Sequence, residues 1–440
     1  MGKEGLAAFH YLHKAFPGAE IAAIVDDITE PTPDIAALVA GGKAVKLFLG
    51  KEATKVLDAF DVVVRSPGIS VYRPEVVFAK KKGVVFTSGT DIWFSEHSNE
   101  RTVCVTGTKG KSTTSALIAH LLKCLGQRVV LGGNAGFPLL GMEEDGPRPD
   151  VWVIEASSYQ ASDFSGSPTA SVLLNLFPEH LDWHGSEERY YEDKLNLLRS
   201  TRKGKIVLNR TDKKTAELTH DPFFSKAVFF NDPKGFHVED GYILDGKDRL
   251  IGSEEISLRG AHNLSNICAA LTAVRSLGFD PKKCVSSIAA FKGLKHRLSV
   301  LGEKSGLTFV DDSISTTPQS AMAAVLAFPG YDVTILLGGF DRGLDYNGLA
   351  RFLVGKPVRV ITMAQSGPRI AGVLRAALAK GAKHALVELR EAEDLAQAVD
   401  IAKKITPAKG LVLLSPAAPS YGRFKNFEER GDAFATMSGL

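Results

Sequence analysis

The chain has 440 residues, 44% of them hydrophobic, so it is too long for one ordinary core and should divide into two or three domains. Its 53 Lys and Arg residues and 50 Asp and Glu residues leave a net charge of +3, which gives no electrostatic case for a nucleic-acid or membrane partner. No apolar run approaches a membrane span, and the first residues lack a basic-then-apolar leader, so we expect a cytoplasmic protein. We also expect a monomer that acts on small molecules. Four isolated cysteines without metal-type spacing are expected to be reduced core residues: Cys104, Cys124, Cys268 and Cys284.

Short apolar, β-branched runs alternate with helical patterns along the chain. This alternation is typical of α/β folds with mainly parallel sheets covered by helices. We predict three such domains: residues 1–95, Rossmann-like; 96–296, phosphate-loop ATPase-like with a β-rich insertion near 230–260; and 297–440, Rossmann-like. The predicted strands are 21–25, 61–64, 102–107, 129–133, 151–155, 171–176, 205–209, 333–339, 359–363 and 411–415, with 242–244 and 249–252 in the insertion.

The chain opens with a glycine turn at residues 2–5 that leads into a helix with no strand before it. A nucleotide-binding βα unit normally supplies that strand first, so either the chain starts further upstream or the first domain lacks its leading strand; we favour the first explanation. The same turn, with Asp26 after the next strand, is a fragment of a dinucleotide-binding pattern. A dinucleotide-dependent oxidoreductase is therefore one alternative function.

The sharpest local signal is the segment 107–114, GTKGKSTT, between a predicted strand and a predicted helix. Unpaired backbone N–H groups in such a turn point at one spot, where a phosphate can sit on the helix N-terminus. Lys111 would reach the β- and γ-phosphates, and the hydroxyl of Ser112 or Thr113 would ligate Mg²⁺. The loop departs from the standard GxxxxGK[ST] pattern because Val105 holds the position of the first glycine. It predicts nucleotide binding, and it is compatible with kinases, motors, GTPases and ligases.

Titratable side chains follow the next two predicted strands. Glu155 ends the strand 151–155, at the edge where parallel sheets place their site residues, and it can ligate Mg²⁺. A carboxylate that only favours the start of a helix is the alternative. The loop after 171–176 carries His180, with Glu179 and Asp182 beside it. Three titratable residues in one strand-end loop favour a site over a lone structural histidine.

Two further residues in this region have no functional signal of their own. From spacing alone, His184 is expected at the surface and Lys194 as an exposed lysine on the following helix.

Polar groups also mark the later helices and strand ends. His262, Asn263 and Asn266 open a helix, where they can cap it or reach an adenine edge. Arg297 lies at the second predicted boundary, either as a solvated linker charge or as a cation that closes one domain over a phosphate on another. In the third domain, hydroxyls and cations gather at three strand ends, which suits a small anionic substrate.

These motifs together resemble the Mur ligase family, and within it the members that add glutamate to UDP-N-acetylmuramoyl-L-alanine. The resemblance extends from residue 2 to residue 440. It rests on the order of these segments: GTKGKST, GGNAGFP at 132–138, EASSYQ at 155–160, the Pro-Glu-His loop with its following lysine, HNLSN at 262–266, HR at 296–297, DDS at 311–313 and the terminal FKNFEERG. Folylpolyglutamate synthetases share the phosphate loop but not this ending.

The resemblance implies cofactors and roles for individual residues. ATP would bind with two Mg²⁺ ions, the second of them held by His180 and by Lys194 as a carbamate. The resemblance implies four catalytic residues: Lys111, His180, Lys194 and Arg297. ATP would contact Gly107, Thr108, Lys109, Gly110, Lys111, Ser112, Thr113, His262, Asn263, Asn266, Arg297 and Asp312. The UDP-substrate would contact Lys3, Glu4, Asp26, Ser66, Pro67, Gly68, Asn134, Ser157, Gln160 and His180. Glutamate would contact Thr316, Arg342, Ser420 and Phe427. The metal ions would contact Ser112, Thr113, Glu155, His180 and Lys194.

The implied reaction activates the muramoyl-alanine carboxylate as an acyl phosphate, which the amine of glutamate then attacks. Positioning and neutralising the anions is the protein's main task in such a reaction. The third domain would close on the others to exclude water. A non-catalytic nucleotide-binding module is a further alternative, but it would leave the candidate metal ligands without a use.

One loop departs from the family pattern. The family usually has a lysine two residues after the Asp of the DS pair, whereas this chain has Ile314 there, in 312-DSISTTP-318. Because the loop lies where glutamate is expected, the departure bears on the isomer. We expect D-glutamate, with L-glutamate as the alternative, since the loop is similar to that of a subgroup that adds the L isomer.

Overall fold

The computed structural model describes residues 3–16, 23–26, 30, 33–40, 46–134, 138–142, 147–258, 260–291, 293–341, 343–380 and 385–440. By internal contacts the chain divides into two compact units, Met1–Glu255 with Ser265–Ala289, and Ile256–Leu264 with Ala290–Leu440. The finer division into three domains, with boundaries at 95/96 and 296/297, stays a prediction.

The first part of unit 1 contains two pairs of parallel strands. The elements are α1 (Lys3–Ala15), β1 (Ala23–Asp26), α2 (Pro33–Ala40), β2 (Lys46–Leu49), β3 (Val62–Arg65), α3 (Pro74–Lys81), β4 (Val85–Ser88) and α4 (Gly89–Glu96). Strand β1 pairs with β2, and β3 pairs with β4. Ser88 stops β4 and starts α4, because its side chain accepts a hydrogen bond from the Asp91 N–H.

The rest of unit 1 is built on a six-stranded parallel sheet. Its elements are β5 (Thr102–Thr106), α5 (Lys111–Cys124), β6 (Val129–Gly133), β7 (Val151–Glu155), α6 (Ser158–Ala161), β8 (Ala170–Leu173), α7 (Leu181–His184), α8 (Glu187–Ser200), β9 (Lys205–Asn209), α9 (Lys213–Glu217) and β10 (Val228–Phe230). The strand order is β10-β9-β8-β5-β7-β6. Every residue of β5, β7 and β8 is buried, as continuous apolar runs require.

A small antiparallel sheet and two helices follow. They are β11 (Phe236–Glu239), β12 (Tyr242–Asp245), β13 (Asp248–Gly252), α10 (Ala261–Ser276) and α11 (Ser286–Ala290). The strand order is β11-β12-β13, so the predicted β-rich insertion is confirmed.

Unit 2 is built on a second six-stranded sheet. Its elements are β14 (Ser299–Lys304), β15 (Leu307–Asp311), α12 (Pro318–Leu326), β16 (Val333–Leu337), α13 (Asn347–Val354), β17 (Arg359–Met363), α14 (Gly367–Lys380), β18 (Glu388–Ala392), α15 (Leu395–Ile405), β19 (Leu411–Leu414) and α16 (Phe427–Ser438). The order is β14-β15-β19-β16-β17-β18; within the described part of this sheet, β14 pairs with β15 in the antiparallel direction and the other pairs are parallel. Seven short 3-10 segments among the described residues belong to unit 1: Gly50–Lys55, Leu57–Ala59, Leu139–Gly141, Leu218–His220, Pro222–Phe224, Ser253–Glu255 and Pro281–Cys284.

Each unit has its own hydrophobic core. In unit 1, a cluster that includes Leu208 and Trp152 packs α4 and α8 on the central sheet. In unit 2, α12, α13 and α14 bury one face of the sheet, while α15 and α16 bury the other around Leu336. The predicted fold class, mainly parallel sheets covered by helices, is confirmed.

Two sequence-based expectations concern the cysteines and the membrane-spanning helices. Cys104, Cys268 and Cys284 are buried and free, but Cys124 is exposed at the end of α5, so its assignment to the core is wrong. None of the helices in the described ranges combines the length and the apolar character that a membrane span requires.

Candidate active site

The phosphate loop connects β5 to α5 through two glycines in the left-handed region. Gly107 has φ +148° and Gly110 has φ +89°, conformations that residues with a side chain rarely adopt. A Cβ at Gly107 would lie 2.9 Å from the Leu174 Cβ, and one at Gly110 would lie 2.6 Å from the Asn266 Oδ1. Both glycines are therefore required by backbone angle and by close packing.

Asn175, two residues after the end of β8, holds the loop in place. The backbone N–H groups of Thr108 and Lys109 donate to the Asn175 carbonyl at 3.0 Å and to its Oδ1 at 2.9 Å. The Asn175 amide donates back to the Lys109 carbonyl at 3.1 Å. The Thr108 hydroxyl lies 2.8 Å from the Tyr190 hydroxyl on α8. Sequence reasoning missed Asn175 and Tyr190; the position of Asn175 at a strand end was the available signal.

Two lysines converge on the carbonyl of Gly107. The Lys111 Nζ donates to it at 3.1 Å and to the Thr108 carbonyl at 3.0 Å, and the Lys194 Nζ donates to the Gly107 carbonyl at 2.8 Å. Lys194 is only 1% exposed, so the expectation of an exposed helix lysine is wrong. Burial, reinforced by the charge of Lys111, holds the pKa of Lys194 well below its usual value. The structure thus brings a lysine with a readily neutralised amine to the phosphate loop.

Glu155 lies beside the loop on the neighbouring strand β7, in register with Val105 of β5. Its Oε1 accepts a hydrogen bond from the Asn134 amide at 2.7 Å, while its Oε2 is buried with no hydrogen-bond partner. A buried carboxylate oxygen without a partner is costly unless a cation or a ligand supplies one. Glu155 therefore lies on the strand next to the one that leads into the loop, as the sequence predicts, and its contact with Asn134 is an additional finding.

His180 begins α7 with a left-handed backbone (φ +57°) and is half-exposed. Its Nε2 lies 3.8 Å from the Oε2 of Glu179, whose other oxygen accepts a hydrogen bond from the Lys109 Nζ. Burial lowers the pKa of His180, and the charges of Lys111, Lys194 and Lys109 lower it further against the opposing effect of Glu179. The imidazole is therefore neutral at neutral pH, the form that can bind a metal or accept a proton.

His184 is fully buried, so the expectation of a surface residue is wrong. Its Nδ1 lies 2.5 Å from the Asp193 Oδ2 and its Nε2 lies 3.0 Å from the Ser158 Oγ. The Tyr72 hydroxyl donates to the other oxygen of Asp193 at 2.7 Å. The Ser-His-Asp order is that of a hydrolase triad, but Ser158 is 3% exposed and out of a substrate's reach. We interpret this series of hydrogen bonds as structural, because it links α6, α7 and α8.

The residues predicted to hold the UDP-substrate come from both parts of unit 1. Gln160 and Ser157 form a capping box at the start of α6, and the Gln160 amide donates to the Glu4 carboxylate at 2.6 Å. Burial raises the pKa of Glu4. Lys3 and Asp26 lie in α1 and β1, but their side chains are outside the described part of the chain. The turn that contains Ser66, Pro67 and Gly68 directly follows β3.

The start of α10 carries the residues predicted for the adenine side. Asn263 and Asn266 are buried, and Asn266 packs on Gly110 of the phosphate loop. Burial lowers the pKa of His262, and the charge of Arg297 lowers it further. The Nε of Arg297 is buried without a hydrogen-bond partner. His262 and Arg297 are far apart in the sequence, but in unit 2 they lie close enough for the charge of Arg297 to affect His262.

Asp312 is buried at the end of β15. It accepts hydrogen bonds from the Ser415 hydroxyl at 2.7 Å and from the Leu298 N–H at 3.2 Å. Burial raises its pKa to about 6, although hydrogen bonds and the charge of Arg297 act in the opposite direction.

Near the predicted glutamate residues, unit 2 has a cavity of about 200 Å³ at the ends of β16 and β17. Ser420 lines it, together with Phe340, Gln365 and Phe424. Thr316 and Phe427 do not belong to its described lining, and Arg342 lies outside the described residues.

Arg430 is a buried residue that sequence reasoning missed. Its guanidinium donates to the Ser313 hydroxyl and carbonyl at 3.0 and 2.7 Å and to the Ala418 carbonyl at 3.0 Å. Burial lowers its pKa to about 10. Arg430 thereby joins the loop after β15 to the loop after β19, the two segments that carry Thr316 and Ser420.

Comparisons with known proteins agree with this geometry. A family model for the Mur ligase middle domain matches residues 105–274, and one for the N-terminal domain of MurD-like Mur ligases matches residues 1–88. A UDP-N-acetylmuramoyl-L-alanine--L-glutamate ligase of Xanthomonas oryzae is 40% identical over 100% of this chain and 94% of its own length. A relative of the same name from Micromonospora is 43% identical over 89% of this chain and 85% of its own length.

Solved structures share the fold at lower identity. MurC of Thermotoga maritima has a TM-score of 0.57 at 20% identity and covers 99% of this chain and 97% of its own. MurF of the same organism, in complex with ADP, has a TM-score of 0.56 at 18% identity, with coverage of 98% and 91%. The full-length relatives at about 40% identity and the match to the Mur ligase middle domain define an ATP-dependent ligase that forms amide bonds. The chain belongs to the Mur ligase family.

Proposed function

We propose that this ligase joins glutamate to UDP-N-acetylmuramoyl-L-alanine, with hydrolysis of ATP to ADP and phosphate, in the synthesis of peptidoglycan precursors. The observation that carries the proposal is the pair Lys111 and Lys194 on the Gly107 carbonyl, in a chain that matches glutamate ligases along its whole length. A cytoplasmic location and a monomeric state remain predictions from the sequence.

We favour L-glutamate as the amino acid. The relatives from Xanthomonas, Xylella and Micromonospora are named as ligases of the L isomer, and Ile314 replaces the lysine usual in the family's loop. That replacement removes a cation from the loop between Asp312 and Thr316. D-glutamate, the isomer first expected from the sequence, is the second candidate, because Thr316, Ser420 and Phe427 occupy the family positions that both isomers would use.

ATP would lie on the loop from Gly107 to Thr113, with its phosphates on the backbone N–H groups at the start of α5. The Lys111 ammonium would leave the two carbonyls it now contacts and pair with the β- and γ-phosphates. Asn266 would reach the nucleotide beside Gly110, with His262 and Asn263 on the adenine side. Arg297 and Asp312 would also contact the nucleotide.

The donors near the loop fit Mg²⁺. The unpaired Oε2 of Glu155 is an oxygen donor of the kind that a hard cation prefers, and the hydroxyls of Ser112 and Thr113 begin α5. Within the described residues there is no cluster of three or more His, Cys, Asp or Glu that could hold a metal alone, so nucleotide oxygens would complete the coordination. When bound, Mg²⁺ would neutralise the phosphates and polarise the γ-phosphoryl group.

Lys194, modified to a carbamate, would bind a second Mg²⁺ together with His180. Burial holds the pKa of this amine well below its usual value, so it loses the proton that blocks attack on CO₂ more readily than an exposed lysine does. The carbamate is an anion with two oxygens, so it could bind a cation. An ammonium group could not, because it is itself positively charged.

This chain's own residues then position the reaction. Asn134, Ser157 and Gln160 would hold the muramoyl-alanine so that its carboxylate faces the γ-phosphate, and Lys111 and Arg297 would neutralise the developing charge. The resulting acyl phosphate would be attacked by the amine of glutamate, held by Arg342, Ser420, Thr316 and Phe427, and phosphate would leave. Exclusion of water by domain closure would protect the acyl phosphate from hydrolysis.

Phosphate release from ATP tests the proposal directly. The purified chain is incubated with UDP-N-acetylmuramoyl-L-alanine and Mg²⁺, with D-glutamate and L-glutamate in separate reactions, and the product is identified by mass. Turnover with L-glutamate alone supports the favoured proposal, and turnover with D-glutamate alone supports the second candidate. No turnover with either isomer overturns both. If a Lys111→Ala variant kept full phosphate release, the assignment of Lys111 to the ATP phosphates would be wrong.

A further inference from the structure

The turn at residues 66–69, which follows β3, accepts hydrogen bonds from two buried side chains, those of Arg65 and Trp183. The Arg65 NH1 donates to the carbonyls of Ser66, Pro67 and Ile69 at 3.2, 3.3 and 2.6 Å. The remaining carbonyl, that of Gly68, accepts a hydrogen bond from the Trp183 Nε1 at 3.1 Å. Four successive carbonyls of the turn are therefore fixed by Arg65 and Trp183.

This arrangement determines where the turn's N–H groups point. In a planar trans peptide the N–H points opposite to the preceding carbonyl. Because the carbonyls of Pro67 and Ile69 face Arg65, the N–H groups of Gly68 and Ser70 face away from it. Gly68 is exposed, so its N–H is open to a ligand. Neighbouring N–H groups on one side of a turn suit an anion such as a diphosphate.

The other edge of the Arg65 guanidinium contacts the segment predicted to hold the muramoyl-alanine. Nε and NH2 donate to the two carboxylate oxygens of Asp163 at 3.1 and 2.6 Å, and NH2 also donates to the Tyr159 carbonyl at 3.2 Å. Tyr159 lies between Ser157 and Gln160. The Arg65 side chain is 1% exposed, and each of its three nitrogens is engaged. A buried guanidinium would be costly without such complete pairing.

We propose that Arg65 is a positioning residue that fixes the turn at 66–69 relative to the segment 157–160, and so sets the affinity for the uridine diphosphate end of the substrate. This inference rests on the proposed function, because that function assigns the two segments to one substrate. Arg65 acts through the turn and touches no reacting atom. It should therefore affect binding of the uridine substrate without affecting ATP, glutamate or the chemical steps.

The test compares Arg65→Lys with a matched control, Arg128→Lys. Lysine keeps the positive charge but loses the planar fork that reaches both segments. Arg128 makes the same two-pronged contact, with Asp150 at 3.0 and 2.7 Å, but joins no predicted substrate segments. Calorimetry measures the binding of UDP-N-acetylmuramoyl-L-alanine and, separately, of ADP with Mg²⁺.

For Arg65→Lys we expect the affinity for the uridine ligand to fall about tenfold or more, and that for ADP to change less than about twofold. For Arg128→Lys we expect neither to change. In turnover assays the KM for the uridine substrate should rise while kcat stays within about twofold of wild type. Asp163→Asn, which keeps the size of the side chain, should weaken uridine-ligand binding in the same direction, and it keeps the test available if Arg65→Lys fails to fold.

Equal losses for both ligands would assign Arg65 a merely structural role and overturn the proposal, as would an unchanged affinity for the uridine ligand. A wild-type chain that does not bind the uridine ligand at all also overturns it. Because binding needs no turnover, an enzyme that binds the uridine ligand but joins no glutamate would refute the proposed function and leave the role of Arg65 measurable.

Discussion

Lys194 shows how the position of one residue determines its chemistry. On the surface it would be an ordinary ammonium, but on α8 it lies buried against the Gly107 carbonyl and near Lys111. Spacing alone placed it wrongly at the surface, and only the family resemblance pointed to a function. The reason is physical: burial depends on how α8 packs on the central sheet, which no local pattern around residue 194 encodes.

If Lys194 is a carbamate, activity should depend on dissolved CO₂. We expect activity to fall in buffers depleted of bicarbonate and to recover when bicarbonate is added, since the neutral amine needs CO₂ to become an anion. Lys194→Ala should lose activity, and short carboxylic acids should restore part of it by supplying the missing carboxylate. Lys123→Ala, which removes an exposed lysine from α5, should behave as wild type. Failure of every acid to rescue Lys194→Ala would count against the carbamate.

Asp312 should make stability depend on pH. Its folded pKa, about 6, lies above the ordinary value of 3.8 because the carboxyl is buried. As pH rises, the Asp312 carboxyl of the unfolded chain loses its proton before that of the folded chain. The stabilisation that Asp312 contributes at pH 4 is therefore lost by about pH 7. Asp312→Asn removes the titration but keeps the hydrogen bond with Ser415, because a hydroxyl can accept as well as donate.

The measurement is the free energy of unfolding of both proteins at pH 4 and at pH 7. The Asp312→Asn variant should gain stability relative to wild type across that range, by an amount on the order of 3 kcal/mol. A constant difference between the two proteins would show that Asp312 keeps its ordinary pKa in the folded state.

His184 marks the limit of site prediction from single residues. Its partners, Ser158 and Asp193, lie on other elements, so a spacing argument had no access to them. Glu155 and Lys111 lie where the sequence predicts, at a strand end and at a helix start, because each belongs to a local pattern that fixes its position in the fold. Asn175 and Arg430 were missed for the opposite reason, since each acts through contacts with distant loops.

At the scale of elements, most strands with two buried faces were predicted from the sequence, whereas the edge strand β18 was missed. The strands β5, β7, β9, β16, β17 and β19 each contain a run of apolar residues, whereas β18 reads ELREA because it lies at the sheet edge with polar side chains in solvent. The hairpin of β14 with β15 was also missed, because β14 mixes charged residues and a glycine with its apolar positions. Hydrophobic patterns report burial, so an edge strand leaves a weak signal.

The two ends of α5 offer a matched pair of glycines for testing the phosphate loop. Gly110 precedes the helix with φ +89° and Gly126 follows it with φ +79°, but only at Gly110 would a Cβ meet another residue, the Asn266 side chain. Gly110→Ala should lower ATP affinity about tenfold or more, because the loop or Asn266 must move. Gly126→Ala should cost about 1 kcal/mol of stability and leave ATP affinity unchanged.

Calorimetric titration with a non-hydrolysable ATP analogue measures both variants. Equal affinities for Gly110→Ala and wild type would show that the contact between Gly110 and Asn266 does not shape the nucleotide site.

At the scale of the whole molecule, each compact unit buries its own core, so thermal unfolding should occur in two transitions. Leu208 and Leu336 are fully buried in the cores of units 1 and 2. Leu208→Ala should lower the unfolding free energy of unit 1 by about 2–5 kcal/mol, and Leu336→Ala should do the same for unit 2 only. Differential scanning calorimetry separates the outcomes. If each substitution shifted both transitions equally, the units would be one cooperative structure.

The central position of β5 also has a consequence during synthesis on the ribosome. The loop from Gly107 to Thr113 is translated before its neighbours β7 and β8, and before Asn266, which packs on Gly110. The loop lacks β7 and β8 until residue 173 has emerged, and it lacks the contact between Gly110 and Asn266 until residue 266 has emerged. If ATP binds at this loop as proposed, it can stabilise the complete loop only after residue 266 has been made, so a chain that stalls earlier lacks this stabilisation.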